Sequence, residues 1–220
     1  MDIMGNKATA YGFIAAAEKA GLKLFLGSYP ITPATDVLHE LSKHKSLGVI
    51  TVQCEDEISG CATAIGASFA GALAVTTTSG PGVCLKSEAM NLAVITELPL
   101  VVLNVQRGGP STGLPTKSEQ TDLLQALFGR NGESPMPVIA ATSPTNCFDA
   151  AYAACKMALE HMTPVVLLTD GFVANGSGSW KLPNLDTYPE IKPQYVTPEM
   201  KDNYTPYKRN PENQVRYWAI

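Results

Sequence analysis

The chain has 220 residues, of which 45% are hydrophobic and only 16% charged. That balance suits a well-buried core and excludes a disordered chain. A net charge of −4, with sixteen Lys and Arg that form no cluster, gives no electrostatic footprint for nucleic acid.

The stretch ATAYGFIAAA is apolar, but Asp2, Glu18 and Lys19 frame it as an amphipathic helix over Ala8–Lys19 rather than a signal peptide. No apolar run is long enough to span a membrane. Lys23–Leu26 reads as a buried strand. It runs into Tyr29-Pro30-Ile31-Thr32-Pro33, which holds two prolines in five residues. Pro33 suits a first helical turn, which places Thr32 at the N-cap of a helix over Ala34–Lys43. Two readings stand. One is a rigid cradle for a small anion at a helix N-terminus; the other is a proline-stiffened loop with an ordinary threonine cap.

A second strand, Val49–Gln53, leads into VQCEDEISG, where Glu55, Asp56 and Glu57 stand at a strand-to-helix junction. Acids there are ordinary dipole partners, or one of them is a partly desolvated acid–base group. The helix that follows, Asp56–Ala70, is built from Gly, Ala and Ser. Such a helix permits very close backbone approach, either to its own sheet or to a neighbouring subunit beside a cofactor. The strand Leu73–Thr78 ends in TSGPG, whose backbone faces an anion or forms a plain turn before a helix over Val83–Thr96. No GxGxxG follows a strand, which argues against a dinucleotide site, and no GxxxxGK[ST] occurs, which excludes a P-loop nucleotidase.

The strand Leu100–Gln106 ends on Arg107, followed by a Gly/Ser/Thr/Pro loop. Arg107 either clamps a carboxylate bidentately or closes the sheet edge. A helix over Glu119–Phe128, a strand Pro137–Ala141, a helix Asn146–His161 capped by Ser143 or Thr145, and a strand Val165–Thr169 follow. TDGFVANG (Thr169–Gly176) is too short for a diphosphate–magnesium loop and reads as a strand end and turn. Strands alternating with helices predict an α/β fold: a doubly wound, mainly parallel sheet with helices on both faces, over residues 1–176. Residues 177–220, rich in Pro, Tyr and Asn, read as an extended tail or a linker to a missing domain. The apolar ending Tyr217-Trp218-Ala219-Ile220 points to a piece of a longer polypeptide.

The five cysteines, Cys54, Cys61, Cys84, Cys147 and Cys155, lack CxxC spacing. They read as reduced thiols of a cytoplasmic protein, mostly small core residues, and not as ligands of zinc or an iron–sulfur cluster.

Five separated blocks, YPITP, the VQCE glutamate, GASFAGALAVTTTSGPG, VQRGGPSTGLPTKSEQTDLL and TPVVLLTDG, occur in one order. Together they resemble the alpha subunit of 2-oxoacid:ferredoxin oxidoreductases, most like the 2-oxoglutarate branch, over about residues 5–220. The chain is shorter than such subunits. The resemblance implies the pyrimidine-binding domain of a thiamine diphosphate enzyme. It implies that Pro30 and Thr32 line the thiazolium–substrate pocket and that Thr32 meets the substrate carboxylate. It further implies that Glu55 hydrogen-bonds the aminopyrimidine ring and that Arg107 is an active-site arginine. The implied reaction converts a 2-oxoacid to acyl-CoA and carbon dioxide and passes electrons to ferredoxin. Implied partners are a beta subunit carrying the diphosphate site, ferredoxin, coenzyme A and the 2-oxoacid, in an oligomer. Mg²⁺ and iron–sulfur clusters would come from partner subunits. The alternatives are another thiamine diphosphate enzyme without ferredoxin, or a non-catalytic subunit-assembly domain.

Overall fold

Six apolar strands form one fully parallel sheet in the computed structural model, which describes all 220 residues. The chain runs β1 (Asp2–Met4), α1 (Gly5–Ala20), β2 (Leu24–Ser28), α2 (Thr35–Leu41), β3 (Val49–Gln53), α3 (Glu57–Phe69), β4 (Leu73–Thr78), α4 (Gly80–Leu85) and α5 (Ser87–Ile95). It continues through β5 (Leu100–Gln106), α6 (Leu123–Phe128), β6 (Val138–Ala140), α7 (Asn146–His161), β7 (Pro164–Asp170), α8 (Gly171–Asn175) and β8 (Ser177–Ser179). The sheet order is β3-β2-β4-β5-β7-β6.

Strands buried on both faces need helices on both sides. Successive side chains of β5 accordingly part company: Val101, Leu103 and Val105 join the core under α1 and α7, while Leu100 and Val102 join the core under α3 and α5. The larger core depends on close packing of α1 on α7. A side chain at Gly12 would place its Cβ 2.4 Å from the Phe148 carbonyl oxygen, so only glycine lets these helices meet.

Chain order reverses between β2 and β4: the chain leaves β2 to one side for β3 and returns on the other side as β4. Ligands of open α/β sheets bind beyond the carboxyl ends of strands at such a switch. Here the ends of β2 and β4 are tied together by Ser28 Oγ and Thr77 Oγ1 at 2.5 Å and by Tyr29 Oη and Thr78 Oγ1 at 2.8 Å.

Several elements differ from the sequence-based expectation. The helix expected over Val83–Thr96 is two helices, broken at Lys86, whose side chain turns inward and is fully buried. The helix expected from Glu119 begins only at Leu123. Residues 119–122 are drawn instead to the strand ends, where Gln120 Nε2 donates to Asp170 Oδ2 at 2.7 Å and Asp122 N donates to Gln106 Oε1 at 3.0 Å. Asp170 caps a short helix, accepting from the backbone N–H groups of Phe172 and Val173, where a turn was expected.

Residues 177–220 lie against the domain. β8 pairs antiparallel with β1, from Asp2 opposite Ser179 to Met4 opposite Ser177, a two-stranded ribbon that the sequence did not announce. Ile191, Val215 and Trp218 enter the larger core. Arg216 Nη1 donates to the Thr96 carbonyl at 2.6 Å. No helix is long and apolar enough to cross a membrane. Of the cysteines, Cys61, Cys147 and Cys155 are buried, Cys54 is half-buried and Cys84 is exposed. The exposed Cys84 departs from the core role expected for most of them: it accepts a hydrogen bond from Gln125 Nε2 at 2.6 Å.

Candidate functional site

The residues singled out in the sequence leave the sheet at one edge. Pro30 and Thr32 follow β2, Glu55 follows β3, and Arg107 follows β5, all at carboxyl ends. Pro30, Thr32 and Glu55 are exposed, whereas Arg107 is 7% exposed.

The segment after β2 is a turn stapled to itself. The Ile31 carbonyl accepts from Ala34 N and Thr35 N at 2.8 and 2.9 Å, and Thr35 Oγ1 accepts from Ile31 N at 2.7 Å. This corrects the expected cap. The helix starts at Thr35, Pro33 lies in the preceding turn, and it is the Thr35 hydroxyl that closes the turn. The Thr32 hydroxyl is therefore free of capping duty, while its carbonyl accepts from Arg107 Nη1 at 2.7 Å.

Arg107 is the bridge of the site. Its Nη2 donates to the Thr112 carbonyl at 2.7 Å, pinning the loop that follows β5. Its Nε is buried without a partner in the chain. The loop is fastened at further points: Gly109 N donates to Glu119 Oε2 at 2.6 Å, and Asn104 Nδ2 donates to Asp122 Oδ2 at 2.9 Å. Between this loop and α4 lies a cavity of about 620 Å³, lined by Gly80, Pro81, Arg107, Thr112, Glu119 and Asp122 among others. That volume suits a small ligand. The TSGPG backbone does not open to an outside anion at Gly80, because the Asp122 carboxylate occupies the space a side chain there would take.

The three neighbouring acids separate by geometry. Asp56 is the N-cap of α3, in a reciprocal box where its carboxylate accepts from Ser59 N at 2.8 Å and its own N–H donates to Ser59 Oγ at 3.2 Å. The bonds its carboxylate accepts from the Ser59 backbone N–H and hydroxyl hold the Asp56 carboxyl below the usual aspartate range. Glu57 is half-buried near the Tyr29 hydroxyl, which burial, with Glu57 beside it, drives well above the usual tyrosine range. Glu55 is left exposed, one residue beyond the last β2–β3 backbone bond, from Cys54 N to the Ser28 carbonyl at 2.7 Å. The dipole role expected of these acids belongs to Asp56 at the cap and Glu57 in the first turn, and Glu55 is the carboxylate left free.

Under this edge lies a cluster that sequence reasoning missed. Gly82 faces Thr78 Oγ1, Tyr29 Oη and Glu57 Cγ so closely that a Cβ would lie 2.0, 2.4 and 2.9 Å from them. Lys86 Nζ donates to Thr76 Oγ1 at 3.0 Å and stands over the Tyr29 ring. The signal available in the sequence was a single lysine in a mostly apolar stretch, GVCLKSEAMNLAV. Thr32 and Arg107 are brought into contact; no hydrogen bond or ion pair joins Glu55 to either.

Comparison with known proteins places these features among relatives. A family model described as pyruvate flavodoxin/ferredoxin oxidoreductase, thiamine diphosphate-binding, matches residues 15–218. Over 218 residues the chain is 57% identical to the 2-oxoglutarate oxidoreductase subunit KorA of Mycobacterium tuberculosis, covering 99% of this chain and 33% of that protein. It is 42% identical over 184 residues to the 2-oxoglutarate synthase subunit KorA of Archaeoglobus fulgidus, covering 83% of this chain and 52% of the relative. The solved structure of a 2-oxoglutarate:ferredoxin oxidoreductase from Magnetococcus marinus, with 2-oxoglutarate, coenzyme A and succinyl-CoA bound, superposes with a TM-score of 0.91 at 36% identity. That match covers 99% of this chain and 37% of the solved one. The chain thus spans a third to a half of the length of these relatives.

Proposed function

The chain belongs to the pyruvate flavodoxin/ferredoxin oxidoreductase family, in its thiamine diphosphate-binding part, and from that premise we propose that it supplies the pyrimidine side of the active site of a 2-oxoglutarate:ferredoxin oxidoreductase. The reaction is the oxidative decarboxylation of 2-oxoglutarate to an acyl-CoA and carbon dioxide, with two electrons leaving to ferredoxin. The observation that carries this reading is the gathering of Thr32, Glu55 and Arg107 at the carboxyl edge of one parallel sheet, with Arg107 bonded to Thr32.

The residues present fit thiamine diphosphate on its pyrimidine side. Glu55 offers an exposed carboxylate, and Ser79 Oγ, Asn104 Oδ1, Arg107 Nε and Thr169 Oγ1 are buried polar atoms at the same edge that lack partners within the chain. The chemistry thiamine diphosphate supplies when bound is a nucleophilic ring carbon and an electron sink for decarboxylation. Glu55 would hold the pyrimidine side of the cofactor and exchange a proton with it through its carboxyl oxygen, and Pro30 would line the same pocket. Thr32 Oγ1 donates to the substrate carboxylate from a turn that Thr35 keeps rigid. Arg107, two of whose N–H groups are already spent on carbonyls, contributes fixed positive charge and its remaining donors. The Thr112 loop, strapped to the strand ends, screens that charge from water.

In this reading a beta subunit carries the diphosphate and its Mg²⁺, and iron–sulfur clusters outside this chain relay electrons to ferredoxin. The outer face of the chain supports a covering subunit. Ile58 and Phe69 of α3, Leu92 and Ile95 of α5, and Leu124 and Phe128 of α6 are all exposed. The small residues Ala62 and Gly66 between Ile58 and Phe69 allow close backbone approach. The test is reconstitution with the cognate beta subunit, followed by measurement of ferredoxin reduction that depends on both 2-oxoglutarate and coenzyme A.

A further inference from the structure

Lys86 stands at the break between α4 and α5 and is fully buried, its side chain running under the β2/β4 switch point. Of its three donors one has a partner, Thr76 Oγ1 at 3.0 Å, and Nζ lies 5.7 Å from the centre of the Tyr29 ring. None of the chain's ion pairs includes it. An ammonium buried without a paired carboxylate opposes folding, and an apolar residue of the same length would not. A helix break does not require a lysine, so the reason lies in what the ammonium faces. The charged and titratable groups around it are Tyr29 from the end of β2, Glu57 and Cys61 from α3, and Cys54 from the turn before α3. Glu88 of α5 acts on Cys61 from behind. Tyr29 immediately precedes Pro30, and Glu57 lies two residues beyond Glu55. Two segments that carry site residues therefore converge on one ammonium.

We propose that Lys86 is a positioning residue: its buried ammonium fixes Tyr29 and Glu57, and through them Pro30, Thr32 and Glu55, at a standing cost to the stability of the fold. This rests on the reading of those residues given above.

Burial holds the Lys86 ammonium down at about 8, against an ordinary lysine value of 10.5. The unfolded chain then binds the extra proton between those two values, so stability rises with pH across that window, and the full penalty is present below it. Lys86→Met, which keeps the shape and removes the charge, should raise the melting temperature of the full chain at pH 7, and the gain should shrink toward pH 10. In the reconstituted complex the same variant should lose at least about tenfold in kcat, as expected when general acid–base groups are misplaced. The wild-type kcat profile should have an alkaline limb near pH 8, and the variant should lack it. A melting temperature lowered at pH 7, or a folded Lys86→Met complex with wild-type kcat and an unchanged pH profile, overturns the proposal. Failure of the underlying reading shows differently, as a wild-type complex inactive with every 2-oxoacid, and the proposal falls with it.

Discussion

Arg107 Nη1 donates to the carbonyl oxygen of Thr32 at 2.7 Å, joining residues 75 positions apart at the ends of β2 and β5. The two act as one unit, because the arginine fixes the turn whose hydroxyl faces outward. Thr32→Val removes the hydroxyl and leaves the carbonyl bond, so it should lower kcat/KM for the 2-oxoacid by roughly 10- to 150-fold, the value of one charge-assisted hydrogen bond. Thiamine diphosphate affinity should not change. Equal losses in both, read by steady-state kinetics and cofactor titration, would make Thr32 a cofactor or structural residue.

Arg107→Lys keeps a charge but cannot reach the Thr32 and Thr112 carbonyls together. The Thr112 loop should loosen, and the chain should lose about 1.5–3 kcal/mol. Urea unfolding measures the loss, and hydrogen exchange over residues 108–122 shows where it falls. A variant as stable as wild type with the loop still protected would reduce Arg107 to a binding residue alone.

Gly82→Ala should be a harmful single methyl near the site. Its Cβ would fall 2.0 Å from Thr78 Oγ1 and 2.4 Å from Tyr29 Oη, breaking the bond that spans the switch point. Overpacking of this kind costs about 1–3 kcal/mol. Gly66→Ala, with open space around it, should be close to neutral for the isolated chain and harmful to assembly with the beta subunit. Unfolding curves for the two variants, with gel filtration of the mixed subunits, test both statements.

Trp218 is buried and stacked on Tyr195, with ring centres 5.8 Å apart, inside the larger core. Trp218→Ala should destabilise the whole domain by about 3–5 kcal/mol. Two separate thermal transitions in the wild-type chain would show instead that residues 177–220 fold independently of the sheet.

Much of this was legible in the sequence, for identifiable reasons. The six strands are apolar runs bounded by helices, and runs buried on both faces have few alternative arrangements. Arg107 and Thr32 announced themselves as polar residues at strand ends. What was not legible depends on contacts distant in the chain. The cap on α2 moved from Thr32 to Thr35 because the Ile31 carbonyl closes a turn first. Lys86 broke a helix that periodicity had drawn as continuous, because its charge is drawn under the sheet to Thr76 and Tyr29. The β1–β8 ribbon joins three-residue strands separated by most of the chain, too short for any alternation to register. Among the acids, spacing alone left three candidates, and only the Asp56–Ser59 box and the Glu57–Tyr29 contact leave Glu55 free.

The central claim is that Glu55 is the acid–base carboxylate of a thiamine diphosphate site shared with a partner subunit. Its most direct test compares Glu55→Ala and Glu57→Ala in the reconstituted complex, by the rate of ferredoxin reduction with 2-oxoglutarate and coenzyme A. The account predicts a loss of about 10²–10⁴-fold for Glu55→Ala with unchanged circular dichroism, and a far smaller loss for Glu57→Ala. Full turnover in Glu55→Ala, or the larger loss falling on Glu57→Ala, would contradict it.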